Sequence, residues 1–226
     1  MEKIVAVVTC DIIQSRKYTS DQRRKISSTL QREFAKVSKA YGDSVHTPTS
    51  FNITVGDEFQ FVLSRPAKSY EITVFYRALA SLSGLIPMLD FRASIGIGEI
   101  AVESKKASYA QDGQAFHRSR MGINSLNEQK LKGKRRTTIV TGEPSLDGTL
   151  DSILMYQDLL EERWTRAQRE ALRWRIPLST YEEIGRKLGV AYQNVQKRLK
   201  AANWDEFSHG LAFVERTLTL HLQKGV

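Results

Sequence analysis

Acidic residues stand at the ends of two strand-like segments in the first quarter of the chain. Asp11 closes a nearly continuous apolar run over residues 4–10, and Asp57 interrupts an alternating apolar pattern over residues 51–63. Both segments have the pattern of β-strands. If the strands lie side by side, the two carboxylates converge at one edge of a sheet. There they suit a divalent cation, Mg²⁺ or Mn²⁺, that carries the phosphates of a nucleotide.

The pattern around Asp57 predicts a β-hairpin, because apolar residues fall at 51, 53 and 55 and resume at 59, 61 and 63. A three-residue loop at 56–58 pairs Ile53 with Phe61 and keeps all the apolar side chains on one face. This register places Asp57 at the apex. The alternative is a plain polar turn, because Gly and Asp are common turn formers; the matching acid at position 11 favours the metal site.

The remaining periodicities predict helices on either side of the hairpin. Residues 21–41 and 67–83 carry apolar side chains at helical spacing, with Ser20 as the expected cap of the first helix, and residues 91–101 form a further strand. The order strand, helix, hairpin, helix, strand predicts an α+β fold of ferredoxin-like type, with helices on one face of an antiparallel sheet. Three further elements extend this domain to residue 162, namely a helix near 113–127, a strand near 137–141 and a helix near 146–162.

Residues 163–226 differ in character and predict a second, all-α domain. Between residues 163 and 200, ten basic residues stand against three acidic ones. A capping-box pattern (Ser-Thr-Tyr-Glu) at 179–182 with Ser179 as the cap, a turn at Gly189, and a second helix with Val195 and Leu199 inward predict a helix-turn-helix.

In such modules the second helix enters the major groove of duplex DNA. Its base-reading candidates are Tyr192, Gln193, Gln196 and Lys197, and the candidates for contact with the phosphate backbone are Asn194, Arg198 and Lys200. Ala191 stands where a capping Ser or Thr is expected, so this helix should begin without a side-chain cap. The alternative is a helical interaction module that never touches DNA.

A closing helix over residues 205–222 carries one apolar stripe, formed by Phe207, Leu211, Val214 and Leu218. The stripe needs a partner, which is either the helix pair before it or a second subunit. A homodimer would place two reading helices about 34 Å apart on a palindrome.

Three short segments carry a resemblance to known families. Asp11-Ile12 after the first strand, the Val-Gly-Asp-Glu-Phe hairpin at 55–59 and the Ile-Gly-Ile-Gly run at 95–98 resemble the palm-like catalytic domain of nucleotide cyclases and GGDEF-type diguanylate cyclases. With its tail, the whole chain resembles the SatD family. The palm resemblance implies a metal pair held by Asp11 and Asp57, with the backbone carbonyl of Ile12 as a further ligand. Glu58 is a candidate for a third ligand or for an outer hydrogen-bond acceptor.

Residues next to these acids are candidates for nucleotide binding. After Asp11, backbone amides, the Ser15 hydroxyl and the cationic Arg16 and Lys17 could meet phosphates, together with Gly56 of the hairpin. Arg16 and Lys17 could equally be solvated.

The segment 112–120 resembles the cyclase helix that supplies an asparagine and an arginine to the transition state. His117 and Arg120 are the nearest counterparts and the candidate catalytic residues. His117 replaces the asparagine and its spacing to Arg120 is one residue short, which puts cyclisation in doubt. A surface or packed histidine is the alternative for His117.

Composition limits the classes of protein that fit. The chain has 226 residues, 41% of them hydrophobic, and a formal net charge of +9, which is compatible with polyanionic partners such as DNA or nucleotides. Its single cysteine excludes an internal disulfide, and no apolar run approaches the roughly 20 residues of a membrane span. Without a signal-peptide layout, we expect a cytoplasmic protein with no membrane partner.

Two functions remain open from the sequence. The first is a transcriptional regulator whose palm-type domain, residues 1–162, binds a purine nucleotide with Mg²⁺ and biases the DNA-binding tail, residues 163–226, through dimer geometry. The second is an enzyme, either a nucleotide cyclase or a purine-triphosphate hydrolase, whose tail docks it on DNA or on a partner.

Overall fold

The computed structural model of the protein describes residues 4–45, 51–53, 57–85, 88–100, 113–128, 135–177 and 179–224. One sheet contains the strands β1 (Ile4–Ile12), β2 (Phe51–Ile53), β3 (Glu58–Leu63), β4 (Phe91–Glu99) and β5 (Thr137–Val140). The helices are α1 (Ser20–Tyr41), α2 (Ser69–Ser81), α3 (Gln114–Glu128), α4 (Pro144–Glu162), α5 (Arg166–Arg175), α6 (Tyr181–Leu188), α7 (Tyr192–Ala201) and α8 (Trp204–Lys224).

The strands lie in the order β2-β3-β1-β4-β5, so that β1 is central. Its neighbours β3 and β4 both run antiparallel to it, whereas β5 runs parallel to β4. The sheet is therefore mixed, and the prediction of an antiparallel sheet holds for its first four strands. The predicted order of elements up to β4 is the observed order.

Helices cover both faces of the sheet. On one face α1 and α2 cover Ala6 and Val8 of β1, and on the other α3 covers Val5 and Val7. The two helices of the predicted strand-helix-hairpin-helix-strand unit, α1 and α2, lie on one face as expected, and the additional helix α3 covers the other. The reason lies in β1 itself, because a strand that is apolar at successive positions must be buried on both sides.

Helix α3 lies close to β4 because Gly96 has no side chain. A Cβ atom at this position would lie 2.2 Å from the carbonyl oxygen of Ala115 and 2.3 Å from the backbone nitrogen of Ser119. Real Cβ atoms do not approach backbone atoms so closely, so glycine permits this helix to sit directly on the strand.

The β2–β3 hairpin has a different register from the predicted one. Phe51 pairs with Phe61 and Ile53 pairs with Phe59, so the predicted pairing of Ile53 with Phe61 is wrong by two residues. A shift of two residues keeps the apolar side chains on the same face. The observed register brings the Phe51 ring within 5.0 Å of the Phe34 ring of α1, measured between centroids. Asp57 accordingly lies on the β3 side of the hairpin and not at its apex.

Two helix caps differ by one residue from the prediction. Thr19, and not Ser20, caps α1 through a reciprocal capping box. Thr180, and not Ser179, caps α6 and exchanges hydrogen bonds with Glu183 in the same way. In both cases a threonine and a glutamine or glutamate three residues later satisfy the first amides of the helix.

The four C-terminal helices share one hydrophobic core with the sheet. Trp164 and Leu172 belong to the same buried cluster as the apolar residues of β1. The apolar stripe of α8 is also buried, and α8 packs against α2, α4 and α7 of the same chain. The division at residue 162 therefore separates two sequence segments that one core joins. Among the helices that the structure describes, none has the length and apolarity that crossing a bilayer requires.

A buried ionic network lies between the sheet and the C-terminal helices, where it links α2, β4, α4 and α5. The Arg77 guanidinium of α2 donates to Glu161 of α4 at 2.6 Å and to the Phe91 carbonyl at 3.0 Å. Burial raises the pKa of the nearby Asp158 to about 6, although it accepts hydrogen bonds from backbone amides at the start of β5. Arg169 of α5 donates to the Glu161 carbonyl at 3.0 Å.

Candidate functional site

Three charged side chains form a row across the three central strands, close to one end of the sheet. Asp11 of β1 lies directly opposite Glu58 of β3 on one side and Arg92 of β4 on the other. Opposite residues in antiparallel strands share a face, so all three point towards α3. The Arg92 Nη1 atom lies 3.3 Å from Asp11 Oδ2. This row, Glu58–Asp11–Arg92, is called the charged row below.

Helix α3 adds two side chains above the charged row. Arg120 donates from Nη1 to Glu58 Oε2 at 2.5 Å, and Asn127 accepts from Arg92 Nη1 at 3.2 Å. The two residues are seven positions apart and so lie on one face of the helix, two turns apart. The close approach of α3 to β4 therefore positions an arginine and an amide over the acids.

The third acid, Asp57, is tied to the end of β1. Its carbonyl oxygen accepts from the Ile12 amide at 3.1 Å, and its carboxylate accepts from the Ser15 hydroxyl at 2.5 Å. Ser15 begins a short 3-10 turn (Ser15–Lys17) that follows Gln14, whose φ of 56° is left-handed. The turn thus links the hairpin acid to the first strand, while Arg16 and Lys17 are exposed.

A cavity of about 320 Å³ opens beside Asp57, between this turn, α1 and the hairpin. Its polar wall contains Ser15, Arg16, Asp57 and Glu58, and its apolar wall includes Leu30 and Phe59. A space with one charged and one apolar wall suits a ligand that has a charged part and a flat apolar part.

The charges of the acids interact. Burial and the negative charges of Asp57 and Glu58, opposed by Arg92, together raise the pKa of Asp11 to about 6. The carboxylates are thus near enough to repel one another, and Arg92 does not fully compensate for this repulsion. A divalent cation at this edge would relieve it.

The oxygen donors fit a divalent cation that arrives with additional ligands. Within the described residues, no three His, Cys, Asp or Glu side chains are arranged as a metal centre. Mg²⁺ is commonly held by one or two carboxylates, with water and phosphate oxygens completing its shell. Asp11 and Asp57 could supply the carboxylates, and the phosphates of a nucleotide could supply the rest.

In the tail, α7 presents a polar face to solvent. Val195 and Leu199 are buried beneath it. The exposed residues are Tyr192, Gln193, Asn194, Gln196, Lys197 and Lys200. Gly189 has the left-handed φ of 65° that the predicted turn requires, and Ala191 precedes α7 without a side-chain cap. The face has the composition of a surface that contacts bases and phosphates.

Arg198 differs from its neighbours on α7. Its guanidinium pairs with Glu170 at 3.7 Å and donates to the Ala167 carbonyl at 3.5 Å, so it contacts α5. This arginine helps to hold α7 on α5, so its guanidinium is less available for the phosphate contact predicted from the sequence.

Other cations of the tail lie over aromatic rings. The Lys187 ammonium lies 4.3 Å from the ring centre of Trp174, and the Arg173 guanidinium lies 5.0 Å from the same ring. Arg175 lies 5.1 Å from the ring of Tyr181. Such cation–π contacts orient a cation while leaving its charge in place.

Comparison with known proteins identifies the family. A family model described as the SatD family matches residues 4–207. The chain belongs to the SatD family. Among solved structures, a bacterial light-regulated adenylyl cyclase is similar at 11% identity and a TM-score of 0.42, covering 62% of this chain and 76% of that one. A likeness at that TM-score carries no weight for function. No curated protein matches the chain.

In this SatD-family protein, the structure brings Asp11, Glu58 and Arg120 to one face of the sheet and places Asp57 within electrostatic reach of Asp11. His117 is exposed on α3. Gly56 lies outside the described residues.

Sequence reasoning missed Arg92 and Asn127 of the candidate site. The alternation of β4 does place Arg92 on the face opposite Phe91, but its contact with Asp11 depends on the register between β1 and β4. Asn127 could have been found from its helical spacing to Arg120, seven residues earlier.

Proposed function

We propose that this SatD-family protein is a DNA-binding transcriptional regulator whose palm-type domain binds a purine nucleotide with Mg²⁺. The observation that supports it most is the cavity of about 320 Å³ bordered by Asp57, Glu58, Ser15 and Arg16, next to the charged row. We interpret the strand order β2-β3-β1-β4 as the ferredoxin-like arrangement of palm domains.

Different residues would bind the cation, the phosphates and the base. Asp11 and Asp57 would hold the cation, which neutralises phosphate charge when bound. Ser15 and Arg16 border the cavity near Asp57 and would meet the phosphates, with Lys17 beside them. The apolar wall around Leu30 would accept the base.

Thermal denaturation with ATP or GTP, with and without Mg²⁺, tests nucleotide binding. At 100 times the dissociation constant, a ligand should add about 2.7 kcal/mol to the free energy of unfolding. Asp57→Asn should remove the Mg²⁺-dependent part of this gain, and Asp43→Asn, an exposed acid elsewhere, should leave it unchanged. If neither nucleotide at millimolar concentration shifts the midpoint, the nucleotide part of the proposal is wrong.

The DNA-binding part is supported by α7. Its exposed face offers amide and ammonium groups that suit base edges, and the cations on α5 and α6 suit phosphates. Because each phosphate contact releases counterions, duplex binding should weaken steeply with salt.

Lys197→Ala and Gln196→Ala should each weaken specific duplex binding by about 1–3 kcal/mol if these side chains read bases. Lys39→Ala on the exposed face of α1 removes the same charge elsewhere and serves as the matched control. Selection of bound duplexes from a random pool, followed by fluorescence anisotropy, supplies both the operator and the affinities. Equal affinities for all three variants and the wild type would exclude α7 as the reading helix.

An enzymatic function is the second candidate, because Arg120 contacts an acid of the site. Product analysis after incubation with ATP or GTP and Mg²⁺ separates the two. Turnover that Asp57→Asn abolishes and Lys197→Ala preserves would favour the enzyme. Nucleotide binding without any product would favour the regulator.

A homodimer remains part of the proposal. Two copies would present two α7 helices to successive turns of the major groove, about 34 Å apart. Sedimentation of the protein with and without nucleotide tests this directly, and a monomer under both conditions would remove the dimer from the mechanism.

A further inference from the structure

Two arginines already contact the acids of the candidate site. Arg92 contacts Asp11 at 3.3 Å and Arg120 contacts Glu58 at 2.5 Å. The Arg92–Asp11 pair is largely buried, with 17% and 15% of the two side chains exposed, whereas Arg120 is 43% exposed. Two of the three carboxylates of the site, those of Asp11 and Glu58, are thus paired with guanidinium groups of the same chain.

The pairing of β1 with β4 fixes the backbone position of Arg92. It stands directly opposite Asp11 across the β1–β4 pairing, and Asn127 of α3 accepts from the same Nη1 atom that contacts Asp11. A guanidinium so placed uses a carboxylate oxygen that a divalent cation would also use. Because both groups are positive, they compete for that oxygen.

Arg120 has more freedom. It reaches Glu58 from α3 with 43% of its side chain exposed, so its guanidinium can leave Glu58 for an anion that binds on this face of the sheet, next to the acids. Arginine binds phosphate oxygens through the same fork of N–H groups with which it binds a carboxylate. A phosphate near Glu58 could therefore replace the carboxylate as the partner of Arg120.

We propose that Arg92 and Arg120 neutralise the acids in the ligand-free protein and pass to the phosphates of the nucleotide when a divalent cation takes the carboxylates. This inference rests on the proposed nucleotide function. It makes both arginines phosphate-binding residues, and it makes cation and nucleotide binding cooperative. The cation alone must displace an arginine and gains little, whereas a cation with a nucleotide gives each displaced arginine a new partner.

Removing one of these arginines should therefore change the affinities for the cation and for the nucleotide in opposite directions. Replacing Arg120 by glutamine removes a competitor of the cation and also a partner of the phosphates. Binding of the cation alone should therefore become tighter and binding of the nucleotide weaker. A residue that only supports the fold would weaken both.

The affinity for the cation alone is measured by titration with Mn²⁺, with electron paramagnetic resonance reporting the concentration of free ion. The affinity for the nucleotide is measured by calorimetry with ATP and with GTP in saturating Mg²⁺. For Arg120→Gln we expect a gain of about threefold to tenfold in Mn²⁺ affinity and a loss of about tenfold or more in nucleotide affinity. Arg92→Gln should shift the two affinities in the same opposite directions.

Arg24→Gln on α1 is the charge-matched control, because Arg24 is exposed and pairs with Asp21 on the same helix. It should leave both affinities unchanged. If both arginine variants weaken Mn²⁺ and nucleotide together, or change neither, the exchange of partners is wrong. If the wild type binds neither Mn²⁺ nor the nucleotides, the proposed function itself fails, which is a different outcome.

Discussion

The substitution Asp11→Asn should stabilise the ligand-free protein at pH 8. Burial, together with the charges of Asp57 and Glu58, raises the pKa of Asp11 from 3.8 to about 6. Ionising this carboxyl therefore costs more in the folded protein than in the unfolded chain. Asparagine has nearly the same size and does not ionise, so it avoids this cost. The change would improve stability while removing a proposed cation ligand.

The size of the effect follows from the pKa of Asp11. An increase from 3.8 to about 6 corresponds to about 3 kcal/mol at full ionisation, because each tenfold change in proton affinity is about 1.4 kcal/mol. The carboxyl keeps some contact with solvent, and Arg92 would lose its charged partner. Allowing for both, we expect a gain of roughly 1–2 kcal/mol in the free energy of unfolding.

The gain should depend on pH with a defined sign. Because the pKa of Asp11 is raised in the folded protein, the penalty is absent only well below the unfolded pKa of 3.8, at about pH 3 or lower, where the carboxyl is protonated in both states. It grows as the pH rises, reaches about half its value near pH 5, and is complete above about pH 6. Asp158 also has a raised pKa, but it is present in both proteins, so its contribution cancels in their difference.

Urea denaturation with a chelator at pH 5 and pH 8 measures the difference between the wild type and Asp11→Asn. The control is Asp43→Asn, because 93% of the Asp43 side chain is exposed and its removal should give no pH-dependent difference. A lower free energy of unfolding for Asp11→Asn at pH 8, or a gain of the same size at both pH values, would refute the reasoning about the buried acid.

Two further substitutions test the parts of the fold that position the site and join it to the tail. Gly96→Ala should lower the free energy of unfolding by about 1–3 kcal/mol, because the added Cβ meets backbone atoms of Ala115 and Ser119. A thermal midpoint equal to that of the wild type would contradict the close approach of α3. Glu161→Gln leaves Arg77 buried without its nearest carboxylate and should cost about 3 kcal/mol in urea denaturation; a loss below about 1 kcal/mol would mean that Asp158 compensates fully.

Much of the architecture could be predicted from local pattern. The unbroken apolar run of β1 indicates a central, buried strand, and the structure has β1 at the centre of the sheet. Gly189 marks the left-handed turn between α6 and α7, and the spacing of Val195 and Leu199 identifies the buried side of α7. In each case the residue type itself restricts the backbone or the burial, so neighbouring sequence suffices.

The site could be predicted only in part because its contacts depend on registers between distant strands. A slip of two residues in the β2–β3 hairpin leaves its alternation unchanged, and the observed register is the one in which the Phe51 ring lies against the ring of Phe34, a residue of α1. The contact of Arg92 with Asp11 has the same origin, since 81 residues separate the two in the chain. Neither contact leaves a signal in the sequence near it.

Helix α2 has a consequence for how this protein can be divided. It is buried at nearly every position, with the sheet and α1 on one side and helices α5 and α8 on the other. A helix that is buried all round needs cover on all sides, so a fragment that ends at residue 162 would expose the side of α2 that α5 and α8 cover, and we expect it to aggregate. Exchanging the tail for that of another protein would require a redesigned α2, because α5 and α8 cover one of its sides.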